Sequence, residues 1–142
     1  MNLDEIQSLW EKDSIIDQDN LHKESIKIPV LHSKYYKIYN NILLLKKVEE
    51  NKFNILKKEK WLYYSGKSDP EVYKENPFDY KVLRQDIDKY MDADEEIIKS
   101  LSKLEYYQTM LNYLDSILKT ILNRTYQIKN SIEFIKFTAG YG

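Results

Sequence analysis

A chain of 142 residues with net charge −1, 42% hydrophobic and 32% charged, has room for one modest core rather than a thick one. Three glycines and three prolines supply too few turns for an all-β fold, and the absence of cysteine excludes disulfides, thiolate nucleophiles and thiolate-bound zinc. No apolar run approaches the roughly 18 residues of a membrane span, and the acidic start MNLDEIQSLWEKD lacks a signal-peptide pattern. The expectation is a soluble, cytoplasmic, all-α protein: one helical domain over 1–142 whose long amphipathic helices assemble into an oligomeric bundle or ring.

Leu3, Ile6, Leu9 and Trp10 recur at helical spacing behind Asp4 and Glu5, which predicts a short amphipathic helix ending near Asp13. Asp17 or Asp19 can then cap the next helix. From Leu21 to Tyr64 the pattern is helical, with Leu31, Tyr35, Ile38, Ile42 and Leu45 alternating spacings of four and three. Pro29 predicts a kink in its first third, or a helix that begins there. After Leu45 the apolar positions shift to Val48, Phe53, Ile55 and Leu56, so the stripe is re-phased. Gly66 suits the positive φ that ends many helices.

Residues 68–80, with two prolines and no period, predict a loop, and Tyr80–Asp92 a short helix. Asp92 or Asp94, with Glu95 and Glu96, starts a long final helix. Its seam, Leu104, Tyr107, Leu111, Leu114, Leu118, Ile121, Thr125, Ile128, Ile132 and Ile135, alternates three and four and is polar only at Thr125. A second stripe, Tyr106, Met110, Tyr113 and Ile117, lies beside it. Two adjacent apolar seams exceed what one antiparallel partner covers, which predicts a multi-helix assembly, within the chain or between chains, with the seam residues as the candidates for oligomerisation. The tail TAGYG is expected to fray.

Catalytic chemistry has little to stand on. His22 and His32 lack the spacing of a metal site, and there is no glycine-rich phosphate loop or nucleophile elbow. Asp92, Asp94, Glu95 and Glu96 read as a capped, solvated helix start. No enzyme activity, metal or cofactor is expected.

Charge is uneven along the chain. Residues 46–67 hold seven basic and three acidic groups, whereas 68–99 hold five and ten. Within KFNILKKEKWLYYSGK, Lys57, Lys60, Trp61 and Tyr64 share one helix face, Lys58 lies just round from it and Lys67 follows the glycine. Ammonium groups beside aromatic rings suit phosphates and unstacked bases, so this stretch is a candidate single-stranded DNA site. The plainer reading is a helix end whose lysines complement the dipole and whose Trp61 anchors packing. Under it the protein is a coiled-coil structural or adaptor protein without DNA binding.

LKKEKWLYYSGK, the polar loop after it, the long helix ADEEIIKSLSKLEYYQTMLNYLDSILKTILNRTYQIKNSIEFIKF and the short AG tail together resemble the UvsY family, recombination mediators of T-even-like phages. The resemblance spans nearly the whole chain. It implies a non-enzymatic protein of the infected bacterial host's cytoplasm that binds single-stranded DNA as a ring of roughly six to eight subunits. It also implies loading of a RecA-like recombinase of the UvsX type onto DNA covered by the phage single-strand-binding protein. The family's DNA-contacting basic pair falls on Lys58 and Lys60, with lysine at the second place where arginine is expected, so a point charge replaces bidentate recognition.

Overall fold

A computed structural model describes residues 1–140. Its elements are α1 (Leu3–Asp13), a 3₁₀ turn (Gln18–Asn20), α2 (Leu21–Tyr64), α3 (Pro70–Glu75), a 3₁₀ turn (Arg84–Asp86), α4 (Ile87–Asp92) and α5 (Glu95–Thr138). No strand occurs among the described residues, so the all-α expectation holds. No helix among them is long and apolar enough to cross a membrane.

The caps explain the boundaries. Asn2 accepts from the Glu5 amide at 2.8 Å while the Glu5 carboxylate reaches back to the Asn2 amide, a capping box that the sequence reading passed over. Asp17 caps the first 3₁₀ turn by accepting from the Asp19 amide. α2 starts at Leu21 and continues through Pro29 rather than beginning there. α2 ends as expected at Gly66, whose φ is +77°. There the Lys67 amide donates to Leu62 and the Gly66 amide to Tyr63, the paired bonds of a Schellman motif.

Two predicted segments differ. Residues 68–80 are not loop throughout, because α3 forms within them with Pro70 in its first turn, where the missing N–H costs nothing. The helix expected over Tyr80–Asp92 occupies only its second half, from Arg84 onward. Of the tail TAGYG, residues 141 and 142 lie outside the described residues; α5 runs to Thr138, and Gly140 has a φ of +83°.

α2 and α5 contribute to two compact units. One comprises Met1–Leu43 and the chain from Thr109 onward; the other is Leu44–Gln108. In the first, the buried apolar side chains are Ile6 from α1, Tyr35 and Ile42 from α2, and Met110, Leu111, Leu114, Ile117, Leu118, Ile121 and Ile128 from α5. The seam and its neighbouring stripe therefore lie within this chain's own core along much of their length. Ile132 and Ile135 remain exposed.

Buried polar side chains in this unit are Arg124 of α5 and Glu24 of α2, whereas Thr125 is exposed. Arg124 is 2% exposed, its guanidinium lies 3.7 Å from the buried Glu24 carboxylate, and it donates to the Asp13 backbone carbonyl. It also sits over the Trp10 ring, which meets Tyr35 edge to face at 5.4 Å. Tyr35 in turn donates to the Asp13 carboxylate at 2.8 Å, so one buried network ties α1 to α2 and α5. Arg124→Met strands the Glu24 charge, and urea unfolding should show a loss of about 3 kcal/mol, the lower range for breaking a buried pair because Lys27 also reaches Glu24. Adding Glu24→Gln should recover part of it; a single-variant loss below about 1 kcal/mol would contradict this role.

Candidate nucleic-acid interface

The basic stretch lies in the second unit, on the last turns of α2. Antiparallel packing of α2 and α5 within this unit is marked by ion pairs of falling and rising number, Glu49 with Lys103 at 3.0 Å and Lys60 with Asp94 at 3.2 Å. Ile87 and Met91 of α4 and Ile97 of α5 form a small buried cluster here, with Phe53, Leu56, Trp61, Tyr64 and Val82 packed against it. Trp61 thus anchors the helix end, while the Lys67 ammonium stands 5.0 Å from its ring centroid.

Asp94 organises the surroundings. Its Oδ1 accepts from the amides of Glu96 at 3.0 Å and Ile97 at 3.1 Å, capping α5 as expected. Its Oδ2 accepts from the Tyr64 hydroxyl at 2.5 Å and lies 3.2 Å from the Lys60 ammonium, which is also 3.4 Å from Glu96 Oε1. Burial pushes the Asp94 carboxyl up, but hydrogen bonds from Tyr64, the Ile97 amide and Lys60 outweigh it and hold the group below 3.8. Burial pulls Lys60 down, and Asp94 and then Glu96 more than offset that, leaving it above 10.5. Burial, then the bond to Asp94, raises the Tyr64 hydroxyl.

An aromatic cluster folds the following segment back onto the helix end. Tyr63 stacks on Tyr73 at 5.4 Å, and Phe78 touches Tyr63, Tyr64 and Tyr90. The Tyr73 hydroxyl donates to the Tyr63 carbonyl, and the Tyr63 hydroxyl to that of Asn76. Between these residues and the helix lies a cleft of about 560 Å³ whose lining mixes Lys60 and Lys67 with Glu59, Asp69 and Glu96.

The residues assigned to DNA from sequence therefore divide. Lys57, Lys58 and Lys67 are exposed, and Lys57 and Lys58 pair with no carboxylate among the described residues. Lys60 is only 19% exposed at its side chain and stands between two carboxylates. Trp61 and Tyr64 are half-buried against the small cluster, and the Tyr64 hydroxyl is taken by Asp94. Sequence reasoning took Asp94 and Glu96 for a helix start alone. The signal for their pairing was the acidic run of 68–99 directly following the basic run of 46–67.

Of the seam residues in this unit, Leu104 and Tyr107 are half-buried. Because Asp94 titrates below its unfolded value, its stabilisation is complete above pH about 4 and is lost as pH falls through the folded value. Asp94→Asn can still cap but leaves Lys60 and Tyr64 poorly paired. It should cost roughly 1–3 kcal/mol at neutral pH and flatten the acid limb of a stability-against-pH curve; an unchanged curve would refute the assignment.

A family model described as "Recombination, repair and ssDNA binding protein UvsY" matches residues 9–141. The recombination protein uvsY of Enterobacteria phage T4 is 25% identical over 141 residues, 99% of each chain. The fold resembles crystal structures of the bacteriophage T4 recombination mediator protein UvsY. Lattice type II gives a TM-score of 0.88 at 24% identity over 99% of each chain. Lattice type I gives 0.85 at 23% over 94% of this chain and 98% of that one. With the match covering nearly all of its length, the chain belongs to the UvsY family of recombination, repair and single-stranded-DNA-binding proteins.

Proposed function

We propose that this protein is a recombination mediator that holds single-stranded DNA on the last turns of α2 and promotes loading of a RecA-like recombinase onto DNA covered by a single-strand-binding protein. The observation that carries the site is the pair of adjacent, exposed and unpaired ammonium groups of Lys57 and Lys58 in a chain of a DNA-binding family. Lys67 lies beyond the helix end and adds a third exposed charge. Charge neutralisation of phosphates by such lysines needs no base recognition, which suits a protein that must act on any sequence. Lys60, Trp61 and Tyr64 support the site by holding the helix end in place.

A patch of three lysines binds weakly alone, so the reading includes a homo-oligomeric ring, roughly six to eight copies, that presents the patch repeatedly. Its support is the apolar exposure of the last turns of α5, where Ile132, Phe134, Ile135 and Phe137 are 37%, 67%, 50% and 75% exposed in the single chain. The work takes place in the cytoplasm of the infected host, with the recombinase and the phage single-strand-binding protein as partners and without catalysis by this chain.

Lys57→Ala with Lys58→Ala should weaken binding of an oligothymidine strand and reduce the slope of log affinity against log salt by about 1.4, two phosphate contacts' worth, without changing oligomer size. Anisotropy titrations across salt decide it; an unchanged slope would sink the site. For assembly, Ile132→Asp with Ile135→Asp should reduce the mass seen by light scattering and keep the helical circular dichroism, since both residues are exposed in the single chain. By contrast, Leu114→Asp should unfold the first unit, because that side chain is fully buried within one chain. A double variant of undiminished mass would show that α5's end does not join the copies.

A further inference from the structure

We propose that Glu96 limits the strength of single-stranded DNA binding by competing with phosphate for the Lys60 ammonium. This rests on the reading of Lys57 and Lys58 as phosphate contacts. Lys60 lies on the same helix face as Lys57, one turn on, so a strand engaged at Lys57 comes within reach of it. In the free protein that ammonium stands 3.2 Å from Asp94 and 3.4 Å from Glu96. One positive and two negative charges leave the cluster at −1, and a phosphate approaching Lys60 meets net repulsion.

The two carboxylates are not equivalent. Asp94 has both oxygens committed, one to the Glu96 and Ile97 amides and the other to the Tyr64 hydroxyl as well as Lys60, and its side chain is 6% exposed. Swinging it away from Lys60 would disturb the cap of α5 and the Tyr64 bond that the same side chain makes. Glu96 is 68% exposed at its side chain and, among the described residues, forms an ion pair with Lys60 alone. A pair with so exposed a partner is worth about 0–1 kcal/mol, so phosphate can displace it while Asp94 stays in place.

The exchange has a signature in salt. While Glu96 holds the ammonium, Lys60 engages phosphate in only part of the complexes and adds little to the salt slope of the unaltered protein. With Glu96→Gln one competitor is gone while Asp94 still shares the ammonium, and Lys60 should contribute up to one phosphate's worth, about 0.7.

Anisotropy titrations of the intact protein with an oligothymidine strand across salt test this. Glu96→Gln should bind about two- to fivefold tighter, the scale of an exposed ion pair, with a slope steeper by up to about 0.7. Glu95→Gln, the same charge change one residue away on an exposed side chain with no lysine partner among the described residues, should leave affinity within about twofold, and Lys60→Ala added to Glu96→Gln should erase the gain. The proposal is overturned if Glu96→Gln changes nothing, if Glu95→Gln matches it, or if the gain survives Lys60→Ala. Failure is separable from failure of the site itself. If Lys57→Ala with Lys58→Ala weakens binding while Glu96→Gln is flat, only the competition falls; if neither alters binding, the site falls.

Discussion

The Asp94 carboxylate is the constraint on which the basic end of α2 depends. It accepts two amides at the start of α5 and the Tyr64 hydroxyl from the end of α2, with the Lys60 ammonium beside it. A side chain that caps one helix's N-terminus and holds side chains from the last turn of the facing helix fixes the register between them. The Trp61 and Tyr64 rings can then rest on Ile87, Met91 and Ile97, and the segment after Gly66 can fold back through Tyr73 and Phe78. Lys57 and Lys58 stand outside this arrangement, on a helix end that it holds rigid. Rigidity matters for the proposed electrostatic site, because lysines on an ordered helix have less freedom to lose on binding a polyanion.

The other unit solves a different problem with similar means. α1 is only eleven residues, too short to be stable alone, and it is held by Ile6, by the Trp10 ring and by its C-terminal Asp13. Arg124 reaches the Asp13 carbonyl and the Glu24 carboxylate from within the core. A buried ion pair is a poor source of stability compared with apolar packing, yet it is intolerant of slippage along the helix. Leu111, Leu114, Leu118 and Ile121 are buried in this unit, whereas Phe134, Ile135 and Phe137 near the end of α5 are exposed.

Much of the fold was legible because its signals are local. The period of α5, the caps at Asp17 and Asp94 and the positive φ of Gly66 follow from residue type and spacing alone. The role of the seam was harder to read: periodicity shows that a face is covered but not by what, and most of that face is covered by this same chain. Arg124 hid beside Thr125 because a lone charge at a seam's edge looks solvated until its partner, a hundred residues away at Glu24, is placed. α3 was missed because Pro70 reads as a breaker, although a first-turn proline starts helices well. At the candidate site, composition located the basic stretch but could not sort its lysines. That sorting depends on Asp94 and Glu96, which lie more than thirty residues along the chain and opposite only after folding.

The account's central claim is this division of labour, with Lys57 and Lys58 open to DNA and Lys60 held by carboxylates. Lysine acetylation followed by mass spectrometry, with and without a saturating oligothymidine strand, tests it most directly. The account predicts that Lys57 and Lys58 react readily in the free protein and are protected by the strand, while Lys60 reacts slowly in both. Equal reactivity of Lys57 and Lys58 with and without DNA would contradict it, as would a Lys60 that reacts as fast as they do in the free protein.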